Sequence, residues 1–215
     1  MKRVLYILAF LYSTSVVTAG TLETPIPVIA PLAGPVSVNV APAWGGFYAG
    51  GIASWDTGEQ NYYSGGAFSN GPWGLDGALY GAFAGYNFQS GSMVYGAEAA
   101  YTIGEITSDI PSTFGADYSS MLDVKARAGY TIGDALVYGV VGGSMGTWDD
   151  RTGPPETAST TGLNYGLGVD YKISDSMFLG AEYLVRDLSG EFDLPSDVSI
   201  DTLTQSAQIR VGLRF

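Results

Sequence analysis

The chain has no cysteine and no histidine in 215 residues. The first absence rules out disulfides and thiolate metal sites, and the second removes the commonest general base and metal ligand. Lysine and arginine together number only nine against 21 acidic residues, a formal charge of −12. Such a surface repels phosphate backbones, so a nucleic-acid partner is not expected. No apolar run reaches the roughly 18 residues that a spanning helix needs. If the chain crosses a membrane, it must do so as a closed barrel of strands. What is plentiful is glycine, at 31 residues, and tyrosine, at 15.

Residues 1–19 have the order of a secretory signal: basic Lys2 and Arg3, apolar Val4 to Tyr12, then small Val17-Thr18-Ala19. Its removal would leave 21 acidic and seven basic residues. Residues 20–43 carry five prolines and no charge beyond Glu23. This composition prevents ladder pairing and suits an extended periplasmic linker.

The stretch from Met121 to Gly133 sets the reading of all that follows. Asp123, Lys125, Arg127 and Gly129 alternate with Leu122, Val124, Ala126, Ala128 and Tyr130. Successive side chains of a strand point to opposite faces, so this is a strand with one charged and one apolar face. Three turn-like breaks recur, at Gln89–Ser92, Gly133-Asp134 and Ser174–Ser176, each between two alternating stretches in the manner of a hairpin. Four longer polar stretches, 56–74, 107–119, 149–161 and 188–202, separate them. Three short turns and four long loops require eight strands, near 44–55, 75–88, 93–106, 120–132, 136–148, 162–173, 177–187 and 203–215. The expected fold is all-β, an eight-stranded antiparallel up-and-down transmembrane β-barrel over 44–215. Strands of this length match the 9–11 residues that cross a bilayer at steep tilt.

Three patterns put the apolar face outside. Tyr86, Phe88, Tyr95, Tyr130, Tyr138, Tyr171 and Phe215 cluster near the short turns, where an interfacial aromatic belt is expected, and Trp55, Tyr101 and Trp148 are candidates for a second belt. The basic residues lie within strands, Arg151 excepted, and not in loops. The runs Tyr95–Ile103, Leu163–Tyr171 and Ala207–Phe215 show an apolar residue at every second position. In water such faces would aggregate; in lipid they belong. The lumen then receives Glu98, Asp123, Lys125, Arg127, Asp170, Lys172, Glu182, Arg186, Arg210 and Arg214. Mixed charges can pair there, whereas charge of one sign could not be buried. A barrel of eight strands is only wide enough to be filled by side chains, so a polar plug is expected. Alternation does not assign a facing to the first and fifth strands, which are glycine-rich on both sides.

Catalysis has little to work with. Histidine-dependent hydrolase and protease mechanisms lack their base. Glu98 and Asp123 could be lumen neighbours, although salt-bridged plug residues are the plainer reading. Asp149-Asp150 and the acids Asp187, Glu191, Asp193, Asp197 and Asp201 lack the spacing of a calcium loop. No cofactor or metal is expected, and the glycine pairs lie in strands with no helix to cradle phosphate.

Several stretches in order resemble a known group: the proline-rich lead, Trp44-Gly-Gly-Phe-Tyr-Ala-Gly-Gly51, Ala84-Gly-Tyr-Asn87, Gly96-Ala-Glu98, Gly180-Ala-Glu-Tyr183 and the ending Arg210-Val-Gly-Leu-Arg-Phe215. Together they resemble the small eight-stranded outer-membrane proteins of Gram-negative bacteria, above all the alphaproteobacterial porin-like surface antigens related in fold to the OmpA membrane domain and opacity proteins. The resemblance implies outer-membrane location, contact with outer-membrane lipid and lipopolysaccharide, and insertion by the barrel-assembly machinery, which reads the terminal Phe215. It implies a non-enzymatic role in envelope structure and surface display. A narrow channel for small solutes is the alternative, as is adhesion through loop residues such as Tyr62, Tyr63, Phe68, Trp73 and Phe192.

Overall fold

A computed structural model describes residues 44–109, 116–150, 157–191 and 198–215. The signal and linker expected over 1–43, and Arg151, Phe192, Asp193 and Asp197, lie outside the described residues. Eight strands run in chain order: β1 Gly46–Ser64, β2 Ala67–Ser90, β3 Met93–Ser108, β4 Ala116–Ile132, β5 Ala135–Asp150, β6 Thr157–Lys172, β7 Met177–Glu191 and β8 Val198–Arg214. Each pairs antiparallel with the next, and β1 pairs with β8, which closes the barrel. Closure leaves the membrane-level ladder without an edge, as lipid demands of backbone N–H and C=O groups.

The strands are longer than alternation alone implies. Residues expected to form the first long loop, 56–74, are mostly a hairpin instead: Tyr63 pairs with Phe68 and Ser64 with Ala67. Gly65 and Gly66 take positive φ of 58° and 77° at its tip. That is the tight two-residue turn whose twist matches its flanking strands, and glycine adopts it freely. The three other stretches read as loops are likewise shortened by strand, to 109–115, 151–156 and 192–197.

Outward-facing side chains define an apolar belt. It runs over 47–55, 78–88, 93–103, 122–132, 135–145, 163–173, 177–185 and 207–215, nine to eleven residues in every strand. Exposed polar residues stop it toward the long loops, among them Glu59, Asp76, Glu105, Asp187 and Gln205. That length is what a tilted strand needs to cross hydrocarbon. Above the belt the wall continues unevenly. It is tallest at β8, β1 and β2, where 198–206, 56–64 and 67–77 are still strand, and low at β3, which ends at Ser108.

The register also settles the two strands that alternation left open. Tyr48, Ile52, Ser54 and Asp56 of β1 are buried, as are Leu136, Tyr138, Val140 and Ser144 of β5. Tyr138 is therefore a lumen residue and not part of the interfacial belt. It lies opposite Gly129, which shares the inward parity of Arg127, and residues opposite one another in an antiparallel pair face the same side. The other six aromatics expected at the short-turn interface point outward, from 47 % exposed for Tyr86 to 79 % for Phe215. Trp55 and Tyr101 also face outward, while the side chain of Trp148 lies outside the described set.

The membrane belt can be probed at Leu167, which is 71 % exposed at mid-belt. Leu167→Arg should cost about 2–4 kcal/mol of folding free energy in phosphatidylcholine vesicles, with Glu59→Arg nearly neutral. Equal and small losses in urea titrations of the two variants would place water, not lipid, around β6.

Candidate functional site

The strands bring two charge clusters together inside the barrel. In the one nearer the short turns, Glu98 of β3 and Lys125 of β4 are directly opposite each other, while Glu182 and Arg210 arrive from β7 and β8. Lys125 Nζ lies 2.9 Å from Glu98 Oε1 and 2.5 Å from Glu182 Oε1. Arg210 Nη1 donates to Glu98 Oε1 at 3.1 Å and to Glu182 Oε2 at 2.9 Å, while its Nη2 donates to Glu98 Oε2. Arg127 Nη2 donates to Asp170 Oδ2 at 2.7 Å.

Aromatic rings frame these ions. The Arg127 guanidinium stands 3.8 Å from the centroid of Tyr138, and that of Arg210 stands 4.1 Å from Phe83, both within cation–π range. Tyr138 donates its hydroxyl to Glu182 Oε2 at 3.0 Å, and Tyr48 donates to Glu98 Oε2 at 3.0 Å. Gly168 makes room for the Tyr138 ring: a Cβ there would sit 2.4 Å from Cζ.

The second cluster is built on Arg186 of β7. Its Nε and Nη2 grip Asp123 through two parallel bonds, at 2.9 and 2.8 Å, and its Nη1 reaches Asp56 Oδ1 at 3.0 Å. The bidentate fork is the strong geometry for a guanidinium and a carboxylate. Ser54 donates to Asp56 Oδ2 and Ser144 to Asp123 Oδ1, each at 2.5 Å. Asn164 Nδ2 donates to Ser144 Oγ at 2.8 Å.

Eight of the ten charged residues expected in the lumen thus meet there, and Asp56 joins them unforeseen. It is the first residue of the stretch 56–74 that reads as loop, and its place opposite Ser206, on the inward face of β8, supplies the missing signal. Two residues stand apart from the clusters. Lys172 is half-buried at the short-turn rim, the last residue of β6. Arg214, at the end of β8, donates to the backbone carbonyl of Asp175 in the adjacent turn and stacks 5.3 Å from the Trp44 ring centroid. Glu98 and Asp123 do not form a carboxylate pair, because each is held by a different arginine. Among the described residues no set of three or more carboxylates is placed to hold a metal ion.

The lumen is less polar than its charges suggest. Toward the short turns Trp44, Tyr48, Phe83, Val94 and Phe178 belong to one buried apolar group, with Trp44 edge-on to Phe178 at 5.8 Å. Toward the long loops Leu75, Leu79, Ile106, Tyr118, Met121, Leu188 and Ile200 form another. A register shift between Tyr118 and Ser120 lets Tyr118 and Met121 both turn inward. The first group also reaches the level of the ions through Ile52, Ala100, Val140 and Leu184, so apolar side chains pack beside the charges as well as beyond them, and the paired side chains are at most 2 % exposed.

Removing the Arg186 head leaves Asp56 and Asp123 buried and unpaired. Arg186→Met should destabilise the barrel by about 3–5 kcal/mol, read from the urea midpoint of the folded form in detergent micelles. A loss under 1 kcal/mol would mean that water reaches these carboxylates.

Comparison with known proteins agrees with this architecture. The family model described as "Outer membrane protein beta-barrel domain" matches residues 28–215. A 22 kDa outer membrane protein of Rhizobium leguminosarum bv. viciae is 28 % identical over 190 residues, covering 83 % of this chain and 81 % of the relative. A 25 kDa outer-membrane immunogenic protein of Brucella canis is 26 % identical over 215 residues, covering 95 % and 92 %. The solved structure of the outer membrane protein OprG from Pseudomonas aeruginosa superposes with a TM-score of 0.53 at 15 % identity, over 80 % of this chain and 96 % of that one, a likeness of fold. With lipid-suited side chains on the outer wall and the family match running through every strand, this chain belongs to the outer membrane protein beta-barrel family and resides in the Gram-negative outer membrane.

Proposed function

We propose that the protein is a non-conducting, non-enzymatic barrel that stiffens the envelope and displays acidic loops and a raised wall at the cell surface. The observation that carries this reading is the filled lumen: two buried charge clusters packed among apolar side chains. A pore needs a continuous wet path, and here side chains occupy the interior of the smallest barrel that can be filled in this way. Catalysis has no support, since histidine is absent and every buried carboxylate among the described residues already accepts from a cation.

Outer-membrane barrels carry short turns on the periplasmic side and long loops outside. With that orientation the tall part of the wall and its acidic rim, Glu59, Asp76, Glu105 and Asp187, stand at the outer leaflet and above it. Outer-membrane lipid and lipopolysaccharide would then surround the belt. Phe215, outward and 79 % exposed, is available for the barrel-assembly machinery to read. Residues 1–19 would direct export and be cleaved.

Planar-bilayer recording tests the central claim. Purified folded barrel should give no conductance or only rare, small openings; steady ohmic channels in most insertions would favour the narrow-pore reading.

One feature supports a second role, binding through the first hairpin. Phe68 is 58 % exposed near the hairpin tip and lies edge-on to Tyr63 at 6.0 Å, an aromatic pair held out from the wall. Replacing Phe68 and Tyr63 by serine should leave folding intact and reduce whole-cell adhesion or autoaggregation. Unchanged adhesion would discard it.

A further inference from the structure

The buried charges of the lumen do not sum to zero. Among the described residues five acids are buried, Asp56, Glu98, Asp123, Asp170 and Glu182, against four bases, Lys125, Arg127, Arg186 and Arg210. Around Glu98 the balance is even, three acids to three bases. The excess lies around Arg186, where one guanidinium serves both Asp56 and Asp123. All three side chains are at most 2 % exposed, and buried apolar groups pack in the lumen around them. A net charge buried in this way is costly unless a counter-ion accompanies it.

A second observation indicates what that counter-ion is. Three neutral side-chain oxygens beside the two aspartates find no hydrogen-bond partner among the described residues: Asn164 Oδ1, Thr204 Oγ1 and Thr102 Oγ1. Their residues are 0 %, 0 % and 1 % exposed. Asn164 lies opposite Arg186 on β6, and its amide nitrogen already donates within the Asp123 cluster. Thr204 lies opposite Arg186 on β8, diagonal to Asp56 across the β1–β8 pair. Thr102 is diagonal to Asp123 across the β3–β4 pair. Diagonal neighbours on one face of a sheet are within reach of each other's side chains. The carboxylate oxygens, by contrast, already accept from donors: Ser54 and Arg186 on Asp56, Ser144 and Arg186 on Asp123.

We propose that the lumen binds one monovalent alkali cation between Asp56 and Asp123, with Asn164, Thr204 and Thr102 supplying neutral oxygen ligands. Hard oxygen donors suit a hard cation. A single positive charge brings the interior to neutrality, whereas a divalent ion would leave it charged. The ion would be enclosed as the barrel closes, and would make the fold dependent on salt in an ion-specific way.

Equilibrium urea unfolding of the mature protein in phosphatidylcholine vesicles tests this, with lithium, sodium or potassium chloride compared with choline chloride at one ionic strength. For the wild type, at least one alkali ion should raise the folding equilibrium constant over choline, with a rise that approaches about tenfold per tenfold increase in its concentration well above half-saturation. Asp56→Asn removes the excess charge and should abolish that slope. Thr204→Val should shift half-saturation to higher concentration, which keeps the test alive should Asp56→Asn fail to fold. Wild-type curves that superimpose in alkali and choline salts would overturn the site. So would a slope that survives Asp56→Asn, which would put the ion in the loops, or stabilisation by acid alone in choline, which would put a proton in its place.

Discussion

Lipid offers no partner for a backbone N–H or C=O, and this one constraint organises the molecule. The β1–β8 pairing, from Tyr48 opposite Arg214 up to Ser64 opposite Val198, is the closure that satisfies it. Once the sheet is closed, every residue in the wall must choose between hydrocarbon and lumen, in strict alternation. Eight strands then fix the lumen width, and the width means that whatever points inward must fill space. The packed interior follows from the closure and the strand number together.

Within that interior, polar and apolar side chains interleave. Rings and aliphatics gather toward both ends, and Ile52, Ala100, Val140 and Leu184 stand among the ions. Ion pairs exposed to water at a pore mouth would be worth little, since solvent screens them. Buried among apolar side chains the same pairs interact in a poorer dielectric, where each broken contact is costly. The apolar packing therefore strengthens the ions, and the ions hold strands on opposite sides of the barrel against one another: Arg186 of β7 reaches both β1 and β4.

The parts legible in the sequence are those where one face is uniformly apolar. The belts of β3, β4, β6, β7 and β8 can be read from alternation alone, and with them the strand number and eight of the lumen charges. Where both faces are small or glycine-rich, as in β1 and β5, alternation carries no contrast, and Tyr138 reads as an interfacial residue. Register corrects this, because a strand of ambiguous facing takes its sense from its neighbour, here Gly129. Asp56 is hidden differently: it is the first residue of a stretch that reads as loop, and only its pairing opposite Ser206 places it in the lumen. The strand ends were hidden for another reason. Above the membrane the wall needs no apolar face, so 56–64 and 67–74 look like loop although they pair as a hairpin. The apolar part of the lumen is hidden because Leu79, Phe83, Leu184 and Leu188 share the inward parity of the charges, and alternation marks that face only as the polar one.

Burying ions is a poor way to gain stability, since well-packed hydrophobic residues of similar volume often do as well. Their value here lies in register. In a water-soluble protein a strand that slips by one residue exposes its apolar face, and the hydrophobic effect opposes the slip. In lipid an apolar lumen would offer no such discrimination, because the two faces of the wall would be equivalent. A one-residue slip of β4 would instead turn Asp123, Lys125 and Arg127 into hydrocarbon together. At about 2–4 kcal/mol for each basic residue near the midplane, and less for the acid, one slipped strand already costs as much as a small domain's whole stability. The charged interior is thus what makes one arrangement of this barrel much better than its neighbours.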